Sequence, residues 1–104
     1  LIKIIGNCTN PRVIIRQDGI DVQTLRLITE EREEPTIVVN AKPTNQYIQK
    51  ITTDNEVFDY YDKQDFSQKN FLFLPPGTSE IFFDPGVREE ARCEIEFCEE
   101  YIAH

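Results

Sequence analysis

The side chains of this chain that could do chemistry are few and poorly placed for catalysis. The only histidine is His104 at the end of the sequence, so a Ser-His-Asp or Cys-His arrangement has no plausible base. The three cysteines include no Cys-x-x-Cys spacing, which argues against a structural zinc site. The four glycines are isolated at turns, so a glycine-rich phosphate loop is missing. The sequence therefore predicts a protein that is not an enzyme and that holds no cofactor and no metal.

Acidic residues offer two further candidate sites, each with a simpler explanation. Asp59, Asp62 and Asp65 are spaced three apart and could align on one helical face to hold calcium. They lack the EF-hand loop with its central glycine and closing glutamate, so a solvated acidic face is favoured. Paired carboxylates for glycoside hydrolysis are always findable among 19 acidic residues, so their presence carries no information.

Four aromatic residues, Tyr47, Tyr60, Tyr61 and Phe66, are the candidate ligand or partner contacts. Their rings could stack on a sugar or pack against a partner protein. The alternative is that the rings cover one open end of the fold, because amphipathic rings are common at such edges. Both interpretations stay open at this point, and the covering role is favoured.

The length of the chain indicates one domain, and its net charge argues against some classes of partner. A length of 104 residues suits one domain, and 39% hydrophobic with 29% charged residues is typical of a soluble globular domain. The net charge of −8 argues against nucleic acid and anionic membrane as partners. The opening LIKII is too short for a signal peptide core or a membrane span. Because the chain starts with Leu1 rather than Met, we expect a longer parent protein.

The cysteines indicate a chain that folds in a reducing compartment. Three is an odd number, so at least one thiol is unpaired within the chain. Cys93 and Cys98 would lie on opposite faces of one strand, roughly 17 Å apart, whereas a disulfide needs Cα atoms within about 7 Å. We therefore expect Cys93 to be a small core residue and all three thiols to be reduced.

The pattern along the chain predicts short antiparallel strands joined by turns. Ala91, Cys93, Ile95 and Phe97 alternate with polar neighbours, which is typical of a strand with one buried face. Asp18-Gly19 predicts a two-residue hairpin, and Pro76-Gly77 a second turn. The predicted strands are 1–5, 11–17, 20–27, 36–40, 47–52, 56–59, 71–74, 79–83 and 89–101.

Two segments fall outside the alternating pattern. Residues 30–34 (EEREE) are predicted to form a charged connection, and residues 60–69 to hold at most one helical turn. The sequence thus predicts an all-β fold, an antiparallel β-sandwich with at most one short helix.

The order of particular motifs carries a family resemblance. GNCTNPRVIIRQDG, with an Asn-Pro that introduces a strand, precedes the short strand TIVVN and then YIQKITTDNEVFDYYDKQDF. The chain closes with NFLFLPPGTSEIFF and a strand ending EFCEEYIAH. In this order the motifs resemble the C-terminal domain of siphovirus distal tail proteins, a tail-component family at the hub of the phage baseplate. The resemblance spans essentially all 104 residues.

The resemblance implies a galectin-like sandwich of jelly-roll type that forms the C-terminal part of a longer tail protein. Its function would be structural, as a scaffold that binds other phage tail or baseplate proteins. The full-length protein would form a homo-oligomeric ring through an N-terminal domain, and it would fold in the bacterial cytoplasm before it joins the virion tail. The alternative is a carbohydrate-binding module that contacts a host surface glycan. Sugar-binding galectins stack the sugar on a Trp, which this chain lacks, and no catalytic residues carry over.

Overall fold

The structure, a computed structural model, describes residues 1–40, 46–67, 80–86 and 89–95. Over these ranges the chain is all-β, with antiparallel strand pairs and one 3-10 turn, η1 (Tyr61–Lys63). The strands are β1 (Ile2–Ile5), β2 (Cys8–Thr9), β3 (Arg12–Gln17), β4 (Ile20–Arg26), β5 (Glu30–Glu31), β6 (Thr36–Asn40), β7 (Tyr47–Ile51), β8 (Val57–Asp59), β9 (Glu80–Asp84) and β10 (Arg92–Ile95). The predicted all-β antiparallel fold is confirmed.

Five strands form the larger sheet, in the order β10-β1-β6-β7-β8. Its central strand β6 follows Pro35 and is rich in β-branched residues, which pack well on a pleated surface. Ile4 on β1 lies between Ile37 of β6 and Cys93 of β10. Ile4 and Ile37 are fully buried, and Cys93 packs against them at the edge of the core.

Three strands form the smaller sheet, in the order β4-β3-β9. The β3–β4 hairpin turns at Asp18-Gly19, whose φ angles of 53° and 77° are the positive values that a tight two-residue turn requires. The register of this pair shifts between Ile15 and Arg16, which marks a β-bulge. Val13 lies between Leu25 and Phe83 on the inner face.

The hydrophobic core lies between the inner faces of these two sheets, as in a sandwich. Strands β1, β6 and β7 contribute to it from one side, and β3 and β4 from the other. A two-stranded ribbon of β2 and β5 adds Cys8, which is fully buried. The buried cluster consists of Ile2, Ile4, Cys8, Val13, Ile15, Leu25, Leu27, Ile37, Val39 and Ile48.

Several local predictions are confirmed and two are wrong in part. β6 has the predicted bounds, the hairpin turns at Asp18-Gly19, and η1 is a helical turn within the described part (60–67) of the segment 60–69. Cys93 and Ile95 face the core while Arg92 and Glu94 are exposed. The predicted charged connection 30–34 is wrong at Glu30–Glu31, which forms β5 against β2, and holds for 32–34. The strand predicted for 89–101 begins only at Arg92, since 89–91 lie outside any strand.

Other predictions fall on positions outside the described residues. These are the strand 71–74, the turn at Pro76-Gly77, and the part of the last strand that carries Phe97 and Cys98. Within the described residues Cys8 and Cys93 are free thiols.

Candidate functional site

The four predicted aromatic contacts do not share one environment. Tyr47 begins β7 and is half-buried opposite Asn40. Tyr60 follows β8 and packs against the hydrophobic core. Tyr61 and Phe66 are exposed, at 43% and 70%. The rings of Tyr61 and Phe66 are therefore open to solvent, whereas the ring of Tyr60 packs against the edge of the hydrophobic core.

Tyr60 is held on both its backbone and its side chain. Its backbone N–H donates to the carbonyl of Ile48 at 2.8 Å, which ties it to the strand that also carries Tyr47. Its hydroxyl donates to Oε2 of Glu31 at 2.9 Å. Lys50 and Lys63 lie over its ring, with Nζ 5.6 Å and 5.8 Å from the ring centre. The ring is thus occupied by contacts within the domain.

Glu31 is the centre of a buried polar cluster where β5 meets β7. Its side chain is 3% exposed, and Oε1 lies 2.9 Å from Nζ of Lys50. Oε2 accepts hydrogen bonds from the hydroxyls of Thr29, at 2.5 Å, and Tyr60, at 2.9 Å. Both carboxylate oxygens therefore have partners, as a buried charge requires.

The electrostatics of this cluster keep Glu31 and Lys50 charged. Burial alone would raise the pKa of Glu31, but the hydrogen bonds from Thr29, Lys50 and Tyr60 outweigh it and lower that pKa. The hydrogen bond to Glu31 raises the pKa of Lys50. Burial, with the charges of Glu31 and Glu89, raises the pKa of the Cys8 thiol to about 11. A thiol that stays protonated at neutral pH is a poor nucleophile.

A second feature is an open groove with three arginines, which we call the arginine groove. Arg12, Arg26 and Arg32 line it, and its volume is about 560 Å³. Its other lining residues are Thr9, Asn10, Glu30, Asp84 and Gly86. The groove lies between one end of the three-stranded sheet and the β2–β5 ribbon.

Each arginine of the groove has an acidic partner. Nη2 of Arg12 lies 2.9 Å from Oδ2 of Asp84, and Nη1 of Arg26 lies 3.2 Å from Oδ2 of Asp65. Nη1 of Arg32 donates to Oε2 of Glu89 at 2.6 Å. The hydrogen bond from Arg12 and that from the Gly86 backbone lower the pKa of Asp84. The groove is therefore lined by fixed charges of both signs.

A third feature is a set of exposed apolar side chains on β4 and β9, the two strands that flank β3, with the neighbours Ile81 and Phe82 on opposite faces of the sheet. Ile20 and Val22 on β4, with Ile81 and Phe82 on β9, are large apolar side chains that are 40% to 65% exposed. We call these four residues the apolar hairpin end. The guanidinium of Arg16, on β3 between these strands, lies 4.4 Å from the centre of the Phe82 ring.

The spaced aspartates do not form a metal group. Asp59 accepts the backbone N–H of Tyr61 at 3.0 Å, and Asp65 accepts from both the backbone and the hydroxyl of Ser67. Over the described ranges, no three His, Cys, Asp or Glu side chains come together as a metal site would need. No helix in those ranges is long and apolar enough to span a membrane.

Sequence reasoning missed both the buried carboxylate and the arginine groove. The run EEREE gives no signal that one of its acids is buried. The meeting of Arg12 and Arg26 depends on the bulge, since an unbroken two-residue hairpin from Gln17 and Ile20 would pair Arg12 with Leu25 instead. Predicting the arginine groove would have required the pairing register of β3 and β4, which residue types alone do not reveal.

Comparisons with known proteins found no relative of this chain. No protein-family model, no curated protein and no solved structure matches the chain.

Proposed function

We propose that this domain is a structural component of a phage or prophage tail, at the distal tail or baseplate hub, where it acts as a protein-binding scaffold. In this proposal the full-length protein forms a ring, and the domain binds other tail or baseplate proteins. The order of the motifs from GNCTNPRVIIRQDG to EFCEEYIAH supports this placement. The all-β fold is compatible with it.

The apolar hairpin end is the observation that carries the binding role. It gathers four of the large exposed apolar side chains of the described residues onto two strands of one sheet. Phe82 lies on the outer face of the sheet, because its neighbour Phe83 packs on the core, and an exposed apolar ring on that face can contact a partner. Arg16 over Phe82 adds an arginine and an aromatic ring, two residue types that are enriched in protein interfaces.

The β-bulge next to this surface supports recognition by side chains rather than by strand addition. The register shift between Ile15 and Arg16 sits beside edge strand β4 and bends it locally. Bulged edges resist pairing with a further strand. A partner would therefore bind exposed side chains such as Phe82, which lies on the outer face of the sheet beside Arg16.

Labelling of assembled particles tests the proposed placement. Tail-bearing particles would be purified from the bacterium that carries the gene and labelled with gold-conjugated antibodies against residues 1–104. We expect gold at the distal end of the tail and peptides of the chain in the particle proteome. Particles that assemble and infect without any copy of the chain would overturn the proposal.

The alternative, a carbohydrate-binding module on the host surface, would depend on a different set of rings. Tyr60 is engaged by Glu31, Lys50 and Lys63. A sugar platform would have to use the exposed rings of Tyr61 and Phe66. We therefore rank the scaffold role first.

A further inference from the structure

We propose that the open edge of β8 binds an extended basic segment of a partner protein, which adds a strand to the larger sheet. This inference names the kind of partner for the scaffold function proposed above and rests on that function. β8 ends the strand order β10-β1-β6-β7-β8. Within the described residues no strand pairs with its other edge, and its three residues, Val57–Asp59, are all exposed.

The backbone of β8 alternates between β7 and the open edge. The N–H of Tyr60 donates to the carbonyl of Ile48 at 2.8 Å. In an antiparallel pair every second residue bonds to the neighbouring strand in this way, so Phe58 also faces β7. The N–H and C=O groups of Val57 and Asp59 therefore point to the open edge. Such groups are the template for main-chain pairing with a further strand.

The β8 edge is regular, in contrast to the β4 edge. Its pairing with β7 runs from Gln49↔Asp59 to Ile51↔Val57 without a shift of register, whereas the β3–β4 pair contains a bulge. A bulge bends an edge away from an incoming strand. Because β8 has none, its side chains decide which strand can add to it.

The side chains along this edge alternate in a pattern that defines a complement. Glu56, Val57, Phe58 and Asp59 are all exposed and read acidic, apolar, apolar, acidic. Successive side chains point to opposite faces of a strand, so each face of the edge presents one apolar and one acidic group. A strand that places an apolar residue opposite each apolar one and a base opposite each acid reads basic, apolar, apolar, basic in either direction.

The carboxylates at this edge are not neutralised by the rest of the described chain. No ion pair among the described residues involves Glu56 or Asp59. The stretch 54–62 holds four acidic residues and no lysine or arginine. Lys50 on the neighbouring strand is already paired with Glu31 at 2.9 Å. A lysine or arginine of a partner would therefore meet carboxylates that still lack a counter-charge.

A second copy of this chain does not fit the same edge. Antiparallel pairing of β8 with β8 of another copy would place Glu56 opposite Asp59, and like charges directly opposite destabilise a sheet. The net charge of −8 adds to the repulsion between copies. The acids at the edge thus oppose self-pairing and favour a partner of opposite charge.

Titration of residues 1–104 with synthetic peptides tests strand addition. The probe is acetylated, amidated Thr-Lys-Val-Val-Lys-Thr. One control peptide has Glu in place of both lysines, and the other is the lysine peptide with both valine nitrogens methylated, which removes their N–H donors. We expect the lysine peptide to bind with a dissociation constant of about a millimolar or lower and to slow hydrogen exchange of the Val57 and Asp59 amides.

The control peptides separate the two parts of the proposal. Neither should bind at the concentrations that saturate the protein with the lysine peptide. Equal binding of the methylated peptide would overturn strand addition, and equal binding of the glutamate peptide would overturn the basic partner. Absence of binding by the lysine peptide would overturn both.

Two substitutions at one position test the backbone contact. Val57→Pro removes the N–H that points to the open edge, at a place where an edge strand tolerates proline. It should weaken binding of the lysine peptide about thirty-fold, because the hydrogen bond is lost and its acceptor is left unpaired. Val57→Ala is the matched control, because it keeps the N–H, and it should weaken binding only about three-fold. Equal affinities of the two variants would reject main-chain pairing.

A charge reversal gives a result that misfolding cannot imitate. Glu56→Lys should weaken binding of the lysine peptide about three-fold and strengthen binding of the glutamate peptide by a similar factor. Glu94→Lys is the control, because Glu94 is an exposed acid on β10 at the other end of the sheet, and it should change neither affinity. Equal effects of the two reversals would reject the β8 edge as the site. The tail placement would still stand, since particle labelling does not depend on β8.

Discussion

Replacing Lys50 by Met should expose the dependence of the fold on the buried Glu31 charge. Lys50 is the partner of Oε1 of Glu31 at 2.9 Å, and the two side chains are 20% and 3% exposed. Lys50→Met keeps much of the side-chain volume but leaves one carboxylate oxygen without its cation. Thr29 and Tyr60 still donate to the other oxygen, so we expect the low end of the usual cost, about 3 kcal/mol at neutral pH. For a chain of this size that lowers the melting temperature by about 12 °C or more.

The pH dependence of the stability lost in Lys50→Met distinguishes a loss of charge pairing from a loss of packing. In the unchanged protein the folded-state pKa of Glu31 lies below its ordinary value of 4.5, so its contribution is present above that value and is lost as the pH falls through the folded pKa. The folded-state pKa of Lys50 is raised above 10.5, so its contribution is lost only as the pH rises beyond that. Without Lys50, burial should raise the pKa of Glu31, and acid should then relieve the cost by protonating it.

Thermal unfolding of the two proteins between neutral pH and about pH 4 measures the effect. The difference in melting temperature should be largest at neutral pH and should narrow toward the acid end. Lys63→Met is the matched control, because Lys63 also lies over the Tyr60 ring but is exposed, and it should cost about 0.5 kcal/mol or less. A Lys50→Met deficit that is independent of pH would show that packing, not charge, is lost.

Three further predictions address the last strand, the thiols and the sugar alternative. Ile95→Asp should destabilise the fold by about 3 kcal/mol while Glu94→Lys changes it by about 0.5 kcal/mol or less, because Ile95 packs on the core and Glu94 is exposed; equal urea midpoints for the two variants would contradict this. Cys8 and Cys93 should resist alkylation at neutral pH until the protein unfolds, because burial raises the pKa of both thiols to about 11; native labelling at the rate of a free thiol would refute it. Simple galactosides and glucosides should bind at about a millimolar or weaker in NMR titrations; micromolar binding that Tyr61→Ala abolishes would reverse the ranking of the two functions.

The elements that local chemistry determines could be predicted from the sequence. Pro35 followed by TIVVN defines β6, and Asp18-Gly19 defines the hairpin, because φ preferences and β-branched runs act over a few residues. The alternation of Cys93 and Ile95 with Glu94 predicts the buried face of β10. Each of these features depends on neighbours in sequence.

The features that depend on distant partners could not be predicted. Burial of Glu31 requires Lys50 and Tyr60, which are 19 and 29 positions away in sequence, and nothing in EEREE distinguishes it from the exposed acids beside it. The arginine groove requires a bulge that shifts the β3–β4 register by one residue. A shift of that size changes which side chains meet, and the hairpin signal at Asp18-Gly19 is the same with or without it.

Photocrosslinking from the apolar hairpin end in assembled particles tests the scaffold account most directly. A photoreactive phenylalanine analogue would replace Phe82, which is 40% exposed beside Arg16. The same analogue at Glu94, on the other sheet, is the control. We expect position 82 to crosslink to another tail protein in purified particles and position 94 to give much less product. Crosslinking of equal yield from both positions, or none from position 82 in particles that contain the chain, would contradict the account.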